Sequence, residues 1–296
     1  MEELHNQTLA YNYNEPTSVD HFRTIALIVH CLISSVAVPL ICFAIYGLHS
    51  LVKTNHVAPV FVINLFISDL IQVSATVILS VIRKMRLPGF EVDVIVMLIY
   101  MFGVGLNICF MVCLFADRYT MIAHPVWYRN MLTMRTSVFV SVAVWILFVL
   151  LTMTGIYYYK YLFVVALVIL LLPYPLLLSF FVLTWRALSR TSVPHNDQRQ
   201  IKATLGLVLC VYTILFLPYT VILSIFKYSS VHFDLASIIK WLISSELLIA
   251  LNPLFDVLLY VFMRKDAKDI FSALRSCFYK RHEEDTVTTN VTEDQV

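Results

Sequence analysis

Between Val138 and Trp185 the chain runs for 48 residues with one formally charged side chain, Lys160. As a single α-helix that stretch would be about 72 Å long at 1.5 Å per residue, more than twice the roughly 30 Å of bilayer hydrocarbon. It is therefore two helices joined by a turn. Gly155 to Lys160 is the only part of it that offers both a helix breaker and a charge. Lys160 at the water interface is tolerated, whereas at the bilayer centre it would cost roughly 2.5–3.5 kcal/mol.

Comparable apolar runs recur along the chain, at about 24–48, 57–82, 92–122, 136–156, 158–188, 200–226 and 236–262. Backbone groups in lipid must pair internally, so such runs are helices or barrel strands. Continuous apolar character without alternation of period 2 selects helices. Of the 296 residues 60% are hydrophobic and 14% are Asp, Glu, Lys or Arg. A soluble domain carries roughly 25% charged residues, so a soluble enzyme core is excluded, as is a nucleic-acid-coating chain. The expected fold is an all-α membrane protein, a seven-transmembrane helix bundle with a short amphipathic eighth helix.

Lys and Arg set the orientation. With the N-terminus outside, 14 of them fall on the inner face and 7 on the outer. The organisation expected is an extracellular N-terminus at 1–23, the bundle at 24–262, a juxtamembrane amphipathic helix at 263–279 and a disordered cytoplasmic tail at 280–296, in a multi-pass plasma-membrane protein. Phe271, Leu274 and Phe278 recur on one face of the eighth helix. The first 20 residues are polar and show no signal-peptide pattern. Asn6-Gln7-Thr8 is a glycosylation sequon on the outer side. The six cysteines leave none in an outer loop, so no disulfide is expected there. Cys277 on the inner side is a candidate for palmitoylation. His21, His30 and His232 are the outer-face candidates for sensing protons.

Polar residues inside the spans carry more information than the spans do. Asp69 lies in span two within Asn64-Leu65-Phe66-Ile67-Ser68-Asp69-Leu70, and Asp117-Arg118-Tyr119 closes span three. Trp145 lies in span four, Pro173 in five, Phe216-Leu217-Pro218-Tyr219 in six, and Asn252 to Tyr260 with Asp256 in seven. This ordered set resembles the rhodopsin-like (class A) G-protein-coupled receptors. Phe216 ahead of the proline, and Asp256-Val257-Leu258-Leu259-Tyr260, look like the branch of nucleotide, protease-activated, lysolipid and proton-sensing receptors.

The resemblance implies a receptor that transmits an extracellular signal to a heterotrimeric G protein, with membrane lipids as its other partners and an extracellular ligand that the sequence does not name. It implies that Asp117, Arg118, Tyr119, Val126 and Tyr260 form the coupling and switch face, with Arg118 paired to Asp117 at rest. Tyr212, Phe216 and Pro218 would be the activation hinge. Asp69, Asn107, Asn252 and Asp256 would share a polar cavity able to hold Na⁺; no other cofactor is implied. Tyr100, Tyr219 and Glu246 would line the ligand pocket. Arg83, Lys84, Lys227 and Lys240 ring its mouth, a positive rim suited to anions.

The chain departs from the family at several points. Val257 stands in place of the seventh-helix proline, which removes the usual cause of a kink there. Phe181 replaces a tyrosine, and the first helix shows Val38-Pro39 instead of Gly-Asn. Asp93 stands about where the third-helix cysteine belongs, and the loop between helices four and five is nearly deleted, so helix packing and the tight turn are expected to hold the mouth. Ala250 occupies the site of a retinal-binding lysine, and Tyr100 that of the acidic residue of amine receptors. No nucleophile stands beside a base, as an enzyme would need. The rival to a signalling receptor is a seven-helix decoy or dimerisation partner.

Overall fold

A computed structural model describes residues 17–52, 59–85, 90–131, 133–157, 162–189, 195–228 and 235–263. These residues are almost wholly helical, with no strand among them. Span one is Thr17–Val52, span two Pro59–Met85, span three Phe90–Ala123, span four Met134–Tyr157 and span six His195–Tyr228. Span five comes in two pieces, Leu162–Leu171 and Pro173–Leu188, and span seven in two, Leu235–Ile249 and Asn252–Met263. A short helix, Pro125–Met131, lies between spans three and four. Among the described residues seven stretches are long and apolar enough to cross a membrane. The protein is a seven-helix membrane bundle; Gly155, expected as the breaker, lies inside span four, which continues to Tyr157, and the rest of the expected turn lies outside the described residues. The chain divides into two compact units, Met1–Val257 and Leu258–Val296, the described part of the second being the end of the last helix.

Helices extend past the apolar runs because a helix needs no apolar residue to continue once it has begun: span one starts at Thr17 and takes in Asp20, His21 and Arg23. Within the spans, side-chain hydroxyls turn back on their own helix. Ser34, Thr76, Ser80, Thr120, Ser141, Thr152 and Thr220 each donate to the carbonyl four residues earlier, which satisfies a hydroxyl that lipid would leave unpaired.

Spans two and three form the centre: 56% of each apolar window is buried, against 22% in spans one, four and five. The peripheral spans instead expose apolar stripes such as Ile25, Ile28, Leu32 and Val36, the face a helix turns to lipid. Spans two and three approach closely at Gly103, where an added Cβ would lie 2.9 Å from the backbone nitrogen of Gln72. Only glycine fits there. The first half of span seven packs on spans one and six, closing the ring of helices.

Candidate functional site

Four of the expected residues meet at one buried point. The Asn107 amide donates both of its hydrogens, to Asp69 Oδ1 at 2.6 Å and to Asp256 Oδ2 at 2.8 Å. Asn252 Nδ2 donates to Asn107 Oδ1 and Asp256 Oδ2, both at 2.9 Å. All four side chains are at most 1% exposed. Spans two, three and seven are thus joined through one asparagine. Asp69 Oδ2, Asp256 Oδ1 and Asn252 Oδ1 are buried and have no hydrogen-bond partner among the described residues. Two carboxylates in one site need a proton or a cation between them. The unpaired atoms are all oxygens, the donor set that a hard cation such as Na⁺ takes. Among the described residues no group of three or more His, Cys, Asp or Glu is placed to hold a metal.

Gln72, one turn from Asp69, was not among the residues singled out by sequence, yet it belongs here. Pro253 has no N–H, so the carbonyl of Ile249, four residues earlier, cannot receive its usual bond. Gln72 Nε2 supplies one from span two at 3.1 Å. The helix is interrupted at Ala250–Leu251, where Leu251 N donates to the Leu248 carbonyl three residues back. The break in span seven therefore sits seven residues before Val257, and Pro253 causes it. The signal was present in the sequence as a proline that strands one carbonyl in a buried helix.

The expected hinge is a stack of rings. Tyr212 lies face to face with Phe216 at 4.9 Å between centroids and with Tyr174 at 6.4 Å. Pro218 lies within the same unbroken helix. The Tyr212 hydroxyl donates at 2.6 Å to the Leu170 carbonyl, at the end of the first piece of span five. Pro173 and Pro175 deprive the carbonyls of Ile169 and Leu171 of their donors, which explains the interruption there. Tyr212→Phe should lower stability by about 1–2 kcal/mol, the cost of a buried carbonyl losing its donor; a thermal melt of the purified protein checks it.

At the end that carries Arg118, the expected pairing is not formed. Asp117 Oδ1 accepts from Tyr128 Oη at 3.2 Å, from the short helix after span three. No ion pair within 4.0 Å joins Asp117 to Arg118 among the described residues, and Arg118 Nε is buried without a hydrogen-bond partner. Neighbouring residues in a helix project about 100° apart, and Tyr128 takes the carboxylate instead. Burial and the Asp117 charge push the Tyr128 phenol up to about 12, so it stays a donor at any physiological pH. Tyr119 packs on Phe180 of span five and on His124. Val126 and Trp127 stand exposed on the short helix. Phe181 packs on Trp185 rather than reaching inward with a hydroxyl.

At the opposite end two of the rim cations, Arg83 and Lys84, are paired with carboxylates. Arg83 Nη1 donates to Glu246 Oε2 at 2.8 Å, and its Nε lies 4.0 Å from Asp93 Oδ1. Lys84 pairs with Asp20 at 2.8 Å, and Arg23 Nη1 donates to the Arg83 carbonyl. One arginine thus links spans two, three and seven, and the residue at the missing cysteine's place is one of its partners. Ion pairs, as well as packing, hold this mouth. Tyr100 and Tyr219 are buried within electrostatic range of Arg83 and Glu246, and the Tyr100 hydroxyl has no hydrogen-bond partner among the described residues. The three expected pocket residues are therefore brought together, around an arginine.

Trp145 ties span four to span two by donating to Asn64 Oδ1 at 2.8 Å. Cys31, Cys42, Cys109, Cys113 and Cys210 are unpaired thiols. His30 is buried in span one and shares a hydrogen bond with Ser80 at 2.7 Å, so it does not face outward; His21 is exposed. Tyr260 lies on the last helix, in the second unit. Asn6, Cys277, His232, the Lys227 side chain and the expected eighth helix lie outside the described residues.

No curated protein sequence matches the chain. Residues 38–162, from the middle of span one to the start of span five, match the family model of the 7 transmembrane receptor (rhodopsin family), and over that stretch the chain is similar to those receptors.

Proposed function

We propose that this protein is a class A receptor that couples an extracellular ligand to a heterotrimeric G protein, with its N-terminus outside and its C-terminus in the cytosol. The observation that carries the reading is the meeting of Asp69, Asn107, Asn252 and Asp256 from three spans at one buried point. Intramembrane carboxylates are expensive and seldom kept without a function. In this reading the ligand enters the end that holds Arg83, Glu246, Tyr100 and Tyr219. It shifts a two-state bundle whose movable part is span six, pivoting at the Tyr212, Phe216 and Pro218 stack. The hinge is tethered to span five through the Leu170 carbonyl, so motion of span six must release that bond. In the resting state Asp69 and Asp256 would hold Na⁺, which would supply charge compensation that the two asparagines cannot. Arg118, without an ion partner, is available to the G protein. Val126 belongs to the coupling face; Tyr260 is a switch residue, Cys277 a palmitoylation site and Asn6 a glycosylation site on the outer side.

The second reading, a seven-helix binder that does not signal, is favoured by Phe181, whose ring is spent on packing against Trp185. One experiment separates the two. In cells bearing epitope tags at both ends, Arg118→Ala should leave surface expression unchanged and abolish the basal or ligand-evoked G-protein signal of the parent. An unaltered signal in Arg118→Ala would remove that arginine from coupling, and a C-terminal tag accessible on intact cells would overturn the orientation.

A further inference from the structure

The lipid-facing stripes of spans five and six end in cations at the same place. On span six, Arg199, Ala203, Leu207, Cys210 and Ile214 recur at helical spacing and all are exposed, the stripe running from apolar to basic toward the helix start. On span five, the exposed Val182 and Leu183 lead to the exposed Trp185 and Arg186. The two stripes are joined across the helices, because Lys202 Nζ of span six sits over the Trp185 ring of span five at 4.6 Å from its centroid. Lys202 and the Trp185 indole thus meet where the hydrocarbon-facing surface stops, with Arg186 next to Trp185 in sequence and Arg199 one turn before Lys202.

Little opposes that charge in sequence. From Met134 to Tyr228 the chain contains one acidic residue, Asp197. An indole at such a boundary marks the headgroup level, and a lysine on its face is held there by the ring's negative quadrupole. Arg199 and Lys202 are three residues apart and so neighbours on one side of their helix.

We infer that Arg186, Arg199 and Lys202, with Trp185 beneath, form a binding site for the headgroup of an anionic phospholipid whose tails lie along the stripes of spans five and six. The continuity of the cations with lipid-facing apolar side chains argues for a lipid rather than an acidic protein segment. A headgroup seated there bridges the two spans at the end where Arg118 lies. Basic pockets between helices suit such headgroups, with each cation near the surface contributing about 1 kcal/mol.

Native mass spectrometry of the purified full chain, titrated with phosphatidylinositol bisphosphate, phosphatidylserine or phosphatidylcholine, tests this. Both anionic lipids should bind in preference to phosphatidylcholine. Arg199→Gln combined with Lys202→Gln should weaken the anionic adduct by about tenfold or more, two lost cations converted at 1.4 kcal/mol per decade. Lys202→Arg should retain it. Arg135→Gln, which removes a cation at the start of span four, should change it little. An equal loss in Arg135→Gln would mean diffuse surface charge and overturn the site. So would undiminished binding in the double variant, or equal affinity for the soluble inositol phosphate headgroup without tails. The melting temperature of each variant in phosphatidylcholine nanodiscs should match the parent, since these side chains are at the surface. Should the double variant melt early, Trp185→Phe, which keeps the bulk and all three cations, should bind the lipid at near-parental strength, and loss of binding there would contradict an electrostatic headgroup site.

Discussion

Arg83→Met lowers the thermal midpoint of the purified protein by roughly 5–10 °C, and adding Glu246→Met restores most of it. The Arg83 and Glu246 side chains are 27% and 15% exposed and 2.8 Å apart. Removing one member of a buried pair costs about 3–5 kcal/mol because the other charge is left without compensation. Partial exposure reduces this to about 2–3 kcal/mol, which for a chain of this size gives the stated shift. The double substitution replaces the pair by apolar side chains of similar reach, which is often neutral or better. Asp93, with a side chain 41% exposed, can turn to water. Equal melting of Arg83→Met and the parent would mean that the ion pair adds nothing to holding spans two and seven together.

The larger effect is expected at Asn107. Asn107→Ala removes the amide hydrogen bond to Asp69 and one each from Asp256 and Asn252. At about 1–3 kcal/mol for each buried polar group deprived of a partner, the loss is roughly 3–6 kcal/mol, a fall in midpoint on the order of 10–20 °C. Asp69→Asn behaves differently. It keeps the shape of the side chain and removes one of two like charges, so stability changes little. If Na⁺ occupies the site, the parent melts higher in sodium chloride than in choline chloride, and Asp69→Asn loses that difference. A sodium effect that persists in Asp69→Asn would place the ion elsewhere.

How much of this could be read from the chain differs by element. The seven spans and the division of the long apolar run into spans four and five are local matters: length, apolar character and a lone lysine decide them. That Asp69, Asn107, Asn252 and Asp256 converge is not local. Asn107 and Asp256 are 149 residues apart, and only the resemblance to a known bundle suggested their meeting. Arg83 shows what such patterns miss. On the helix it looks like a rim cation suited to anions, and its partner Glu246 lies 163 residues away. Pairing across a bundle depends on how the faces of distant helices are set against each other, which the residues of span two and of span seven do not fix by themselves. Gln72 was legible in principle, because Pro253 strands the Ile249 carbonyl and some donor must reach it. The Asp117 partner was not, since Tyr128 comes from a short helix whose placement depends on how the chain leaves span three.

Reconstitution separates a coupling receptor from a silent bundle. The purified protein in nanodiscs is mixed with a heterotrimer of each G-protein class, and guanine-nucleotide exchange is followed without ligand and with a ligand panel. At least one class should exchange nucleotide several-fold faster than with empty nanodiscs, and Arg118→Ala should return the rate to that of empty nanodiscs. Exchange at the empty-nanodisc rate for every class and ligand, from protein that melts cooperatively, would contradict a coupling receptor and leave the non-signalling bundle as the reading that fits.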